Sequence, residues 1–261
     1  MMPGHRVLAP ARVRAADGFT LIELLVAMLI ATVVTMAAVS FLIFTTEDVS
    51  HITARVGVDQ TGRVALQRVI SELHSACVAP NVVPVLEGSG EKVIKFVSES
   101  GEGSAFANVE KHEITFAEGA LTEKSYKSTG GAAPSYTWST TPTTTKLLTG
   151  IRQTEVSSTK TPIFRYYRYY REGDAIPVGD TKLPYGEINP EAITPGSTGV
   201  SAEEAEDITK VTVNFTVAPE GKESVAFNHD RPVVLEDSAV FRLAPSSEAS
   251  NNPNLPCTEA T

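Results

Sequence analysis

The side chains able to do chemistry are few, and most are badly spaced for it. The five histidines, His5, His51, His74, His112 and His229, show no ligand spacing with one another, with the cysteines or with carboxylates, so no zinc site is expected. Gly88-Ser89-Gly90-Glu91-Lys92 matches too few positions of a phosphate loop and reads as a charged surface turn. Glu203, Glu204, Glu206 and Asp207 could attract calcium but lack the EF-hand spacing, and an acidic surface loop explains them. Tyr166-Tyr167-Arg168-Tyr169-Tyr170-Arg171 interleaves aromatics with arginines, a composition able to stack bases and meet phosphates. The same alternation is what a half-buried strand requires, and that is the stronger reading. No catalytic residue, cofactor or metal is expected, and the chain reads as a non-enzyme.

Two features remain. Glu23 stands near the start of an apolar run, where a carboxylate in lipid costs about 2.5 to 3.5 kcal/mol at mid-depth and usually persists because it has a partner. Its plainer role is an interfacial acid favoured by the positive end of a helix. The second feature is the pair Cys77 and Cys257, the only cysteines. Outside the cytoplasm an even pair favours a disulfide, with two free thiols as the alternative.

The element that positions Glu23 is unusual. From Phe19 to Phe44 only Thr20, Glu23, Thr32, Thr35 and Ser40 are not apolar, and residues 24 to 46 carry no charge. That gap is about 34 Å long as a helix, against a hydrocarbon core of about 30 Å. It is too long for the apolar part of a signal peptide, and it continues to Phe44 past the small residues around Ser40. Averages hide it: 261 residues, 42% apolar and 20% charged, would pass for an ordinary globule. Arg6, Arg12 and Arg14 precede the run, so its amino-terminal side is expected in the cytoplasm and the region beyond it outside. The net charge of -9 argues against nucleic-acid affinity by bulk electrostatics.

The segment Gly18-Phe19-Thr20-Leu21-Ile22-Glu23-Leu24-Leu25-Val26-Ala27 closely resembles the processing and methylation signature of type IV pilins and type II secretion pseudopilins. The resemblance implies cleavage by prepilin peptidase between Gly18 and Phe19, N-methylation of Phe19, and pairing of Glu23 with the amine of a neighbouring subunit. It implies as partners the other pilin or pseudopilin subunits, an inner-membrane assembly platform, and membrane lipid before assembly. The stretch from Gly62 to Cys77, and more loosely Val234 to Leu243 with Arg242, looks like J-type pseudopilins or W-type minor pilins. Family members of this size are usually minor components, implying a subunit that primes assembly or sits near a filament tip. Some relatives act in DNA uptake, which keeps the tyrosine and arginine segment in view. The competing reading is an anchored adhesin or ligand-binding protein that does not polymerise.

The expected fold class is α+β: a long amino-terminal helix on an antiparallel β-sheet head. Residues 1–18 are read as a leader, 19–44 as a membrane and filament-core helix, 45–80 as its amphipathic extension and 81–261 as the head. Leu66, Val69, Ile70, Leu73, Ala76 and Cys77 form the apolar stripe, Gly57 and Gly62 are weak points, and Pro80 ends a helix running to Ala79. Strands are predicted at Val93–Val97, at Glu113–Phe116 and Leu121–Tyr126 around a hairpin turn, at Phe164–Tyr170, at Ile208–Val217 with one wet face, and last at Ala239–Leu243, after Pro232-Val233-Val234-Leu235. Residues 101–107, 128–145 and 173–201 are read as loops.

Overall fold

The computed structural model describes residues 19–78, 82–99, 109–132, 135–175, 184, 186–218 and 232–241. The chain divides into two compact units, Met1–Ile52 and Thr53–Thr261. Helix α1, Leu21–His74, contributes to both.

In the first unit the described residues are helix from Leu21 on, with large apolar side chains exposed all round: Leu21, Ile22, Leu25, Leu29, Val33 and Phe41 are each more than half accessible. Nothing in its most apolar window is buried, at a mean hydropathy of 2.5. A helix apolar on every side needs lipid or protein around it.

The second unit is the α+β head. Strands β1 (Val93–Glu99), β2 (Val109–Ala117) and β3 (Ala120–Ala132) form an antiparallel meander. The β2–β3 turn has Glu118 and Gly119 at φ 50° and 72°. Two residues with positive φ give the twist a tight hairpin needs, and Ala117 pairs with Ala120 across it. β3 also pairs with β4 (Ser135–Trp138) and β5 (Thr143–Thr149). The stretch read as a loop over 128–145 therefore contains strand.

The second sheet centres on β10 (Ile208–Val217). It pairs with β11 (Val233–Val240) on one side and with β6 (Ile151–Arg152) and β9 (Phe164–Arg168) on the other. A two-residue pair, β7 (Glu155–Val156) with β8 (Thr159–Lys160), lies between β6 and β9 in the chain. Helix α2, Ala202–Asp207, leads into β10.

Leu66, Val69, Ile70 and Leu73 of α1 join Ile94, Phe96, Ile114 and Leu121 of the first sheet and Phe164, Val211, Val213 and Phe215 of the second in one core. The stripe thus lies where its spacing puts it, but the helix ends at His74 rather than Ala79. The Cys77 amide donates to the Val97 carbonyl at 2.7 Å, and Ala76 bridges Ser98, so strand pairing captures these residues first. Gly57 and Gly62 do not interrupt α1. At Gly62 the sheet closes in: an added Cβ would lie 2.6 Å from Leu235 Cδ1 and 3.0 Å from Val217 Cγ2. β10 has no wet face, because Thr212, Asn214 and Thr216 are buried too. Thr154 covers Thr216, with their hydroxyls 2.9 Å apart, and Glu236 accepts from Asn214.

Candidate functional site

The chemistry expected at the amino terminus centres on Phe19, Thr20 and Glu23. Gly18 lies outside the described residues. Thr20 caps α1 reciprocally: the Glu23 amide donates to Thr20 Oγ1 at 3.3 Å, while the Thr20 amide and hydroxyl donate to Glu23 Oε2 at 3.3 and 3.1 Å. This is a capping box, which satisfies amides that a helix start leaves unpaired. The pattern Thr-x-x-Glu just before an apolar run was its available sequence signal; reading Glu23 as an acid at the positive end of a helix placed it at the helix start but missed its bonds with Thr20. In the single chain the carboxylate is therefore held by its own helix start, exposed and within reach of an incoming donor.

The family model of the prokaryotic N-terminal methylation motif matches residues 13–39, the span holding this cap and the apolar helix after it. The amino terminus thus carries a prokaryotic N-terminal methylation motif, the kind of start found on type IV pilin-like proteins. No curated protein and no solved structure matches the chain. The motif supports a pilin-like substrate of prepilin peptidase, and the apolar helix, long enough to cross a membrane, fits a membrane-anchored protein.

The head of this pilin-like chain holds a second constellation, assembled from α1, β1, β2 and β3. Arg68 Nε donates to Glu72 Oε1 at 2.9 Å, one helical turn on, and its NH2 group donates to Glu123 Oε2 at 2.8 Å across to β3. On the other side of Glu123, His112 Nδ1 lies 2.8 Å from Oε1, and His112 Nε2 lies 2.9 Å from Ser98 Oγ. The His112 ring stacks on Phe96, centroids 5.1 Å apart, which fixes its plane. His112 and Glu123 are buried. The His112 hydrogen bond, aided by Arg68, holds the Glu123 carboxyl below the usual carboxylate range against the opposing effect of burial. Glu72 is shifted the other way: burial pushes it up, with Glu123 adding to the shift and Arg68 opposing it. The bond to Glu72 raises Arg68 further, so it stays charged.

Glu72, His112 and Glu123 bring one ligand atom each within 4.8 Å of one another, a donor set that zinc would accept. Arg68 already bonds both carboxylates and both imidazole nitrogens are engaged, so the cation held here is a guanidinium. No sequence spacing could have found this cluster, since its members come from four separated elements.

The tyrosine and arginine segment is strand β9 and its continuation. Tyr166 is fully buried, and its hydroxyl donates to the carbonyls of Gly90 at 2.9 Å and Val93 at 3.0 Å. Arg168 donates two bonds to Asp174, at 2.7 and 2.6 Å, and Arg171 pairs with Asp207. Lys210 lies over the Tyr167 ring at 5.2 Å. The arginines that could have met phosphates thus already meet carboxylates. Asp207 belongs to α2, capped by Ser201 and Glu204, so the acidic run is a capped helical turn rather than a loop. The Gly88–Lys92 turn is not wholly on the surface either: Ser89 is buried, and Gly199 packs against it so closely that an added Cβ would lie 2.6 Å from the Ser89 carbonyl oxygen. The Val200 amide donates to that same carbonyl at 2.6 Å, and the Gly88 amide donates to Val200. That exchange, with the bridges of Ile188 to Tyr169 and Ile193 to Tyr166, ties the described part of the 173–201 stretch to the head. Cys77 is fully buried and disulfide-bonded, while Cys257 lies outside the described residues.

Proposed function

We propose that this chain is a non-enzymatic minor pilin or pseudopilin subunit. Prepilin peptidase cleaves it between Gly18 and Phe19 and methylates Phe19. The subunit then leaves the lipid to enter a type IV pilus or type II secretion pseudopilus, priming assembly or lying near the tip. Supporting this is a helix with apolar side chains exposed on every face, starting at a capped Thr20 with Glu23 in its first turn, inside the matched methylation motif. Lipid covers such a helix before assembly, and neighbouring helices cover it afterwards. The orientation follows from Arg6, Arg12 and Arg14, which keep the leader in the cytoplasm and put the head outside.

Glu23 supplies register. A carboxylate moved from its own cap into an apolar filament interior needs a cation there, so docking that presents a neighbour's Phe19 amine is rewarded and misregistered docking is penalised. Mass spectrometry of the protein from cells with and without prepilin peptidase tests the first step. The expected mature chain starts at methylated Phe19, and a chain still beginning at Met1 in the presence of the peptidase refutes it. Glu23→Ala is expected to be processed normally yet be absent from sheared filaments. If the processed wild type is itself never found with filaments, the chain is an anchored, non-polymerising protein of the adhesin or ligand-binding kind.

A further inference from the structure

The cluster on the inner face of the first sheet holds one atom its hydrogen bonds leave over. Glu72 Oε2 is buried without a hydrogen-bond partner, although Oε1 of the same carboxylate is bonded to Arg68. It faces Arg68 from its own helix, Glu123 from β3 and His112 from β2, the last anchored by Ser98 of β1. With both carboxylates ionised and the imidazole neutral, one guanidinium leaves the group with one uncompensated negative charge, which is costly at the buried Glu123 and the shielded Glu72 Oε2 even though Arg68 is half exposed. One proton removes that charge and turns the orphaned oxygen into a donor, with the Glu123 carboxylate in the same cluster as its acceptor.

We propose that Glu72 and Glu123 share a single proton, making the contact between α1 and the first sheet a proton-dependent latch. The proton resides on Glu72, because Glu123 is already met by two donors, Arg68 and His112, while Glu72 receives only the Arg68 Nε–H. When it leaves, two carboxylates face each other across the helix–sheet contact and the turn of α1 carrying Glu72 is pushed from β3. The sign follows from Glu72 being raised in the folded state. Its favourable state is complete below the ordinary glutamate value, and stability is lost as pH rises from there through the raised folded value, then levels. Glu123, being lowered, acts oppositely: its contribution is present above the ordinary value and is lost as pH falls through the depressed one. The latch is therefore tightest between the two, and the two midpoints belong to the pair.

The test is a pH titration of the side-chain carboxyl NMR signals of Glu72 and Glu123 in the full-length chain in detergent micelles. One step above and one below the ordinary glutamate midpoint are expected. Glu72→Gln, whose amide still donates to Glu123, is expected to abolish the upper step and flatten the fall of stability with pH across that window. A wild-type Glu72 that titrates at or below the ordinary value overturns the latch, whether or not the variant folds. A Glu72→Gln protein whose stability keeps the wild-type pH slope overturns it too. So does stoichiometric zinc binding that is lost in His112→Gln, which would make the cluster a metal site.

Discussion

Two glycines five residues apart on α1 separate intrinsic helix propensity from packing. Gly57 has open space where a Cβ would be, whereas Gly62 is buried against Leu235 and Val217. Alanine is better than glycine in a helix interior by about 1 kcal/mol. Gly57→Ala should therefore stabilise the head by about that amount, which in a domain of this size is a rise in Tm of about 2 to 4 °C. At Gly62 the same gain meets a new methyl group 2.6 Å from Leu235 Cδ1 and 3.0 Å from Val217 Cγ2. The leucine end can rotate away. The valine is β-branched on a central strand and has little freedom, so crowding should cost about 1 to 3 kcal/mol. Gly62→Ala is then expected to be neutral to destabilised by about 2 kcal/mol, leaving a gap between the two variants of about 1 to 3 kcal/mol. Thermal unfolding of the full chain in detergent, followed by circular dichroism and by fluorescence of Trp138, the only tryptophan, measures both. Equal stabilisation by the two alanines would refute the close approach of α1 to β10 and β11.

Tyr166→Phe removes two hydrogen bonds, but Gly90 and Val93 exchange backbone bonds that remain, so the loss in denaturant unfolding should be about 1 kcal/mol rather than that of an orphaned acceptor. Burial raises the Tyr166 phenol, so it stays protonated and adds no pH dependence near neutrality. Asp174 is held well below the usual carboxylate range by the Arg168 hydrogen bonds first and the Arg171 amide second. Its contribution is present above the ordinary aspartate value and lost as pH falls through the depressed one; Asp174→Asn should remove that part of the acid unfolding profile, and an unchanged profile would count against the pairing. Alkylation under denaturing, non-reducing conditions should modify neither Cys77 nor Cys257, and two modified thiols would rule out a bridge between them.

What was legible in the sequence depended on whether one element carried its own signal. Val211 to Val217 alternates and lies in strand Ile208–Val217, and Glu118-Gly119 marks the β2–β3 hairpin because few residue pairs accept positive φ twice. The stretch over 128–145 was not legible: Thr143–Thr149 is mostly threonine, with no apolar alternation, and becomes strand because the free edge of β3 offers it partners. The helix end was misplaced for a related reason. Ala76 and Cys77 fit a helical stripe, but β1, distant in sequence, captures their backbone. At the amino terminus the methylation motif is contiguous and could be read directly, whereas the polar cluster is spread over residues 68 to 123 and exists only once α1 and three strands have met.

This contrast bears on why a head with an ample apolar core should bury charge at all. Val69, Ile70 and Leu73 fix which face of α1 meets the sheets, and the close approach of Leu235 and Val217 to Gly62 already resists a slip of one turn, about 5.4 Å along the axis. Such a slip would also take Arg68 and Glu72 from Glu123, leaving that buried carboxylate with His112 but without its guanidinium, which is penalised. The polar cluster thus adds to the axial register that the Gly62 contact sets, while the apolar stripe sets orientation. The proposed use of Glu23 in a filament follows the same logic, with the cation supplied by a neighbouring subunit. The two devices make separable predictions: Arg68→Met should loosen the head's protection from hydrogen exchange around β3 while leaving processing at Phe19 intact, and Glu23→Ala should leave both that protection and processing unchanged while blocking entry into filaments. Loss of processing in Arg68→Met would show that the register of the head and the fate of the amino terminus are coupled, contrary to this argument.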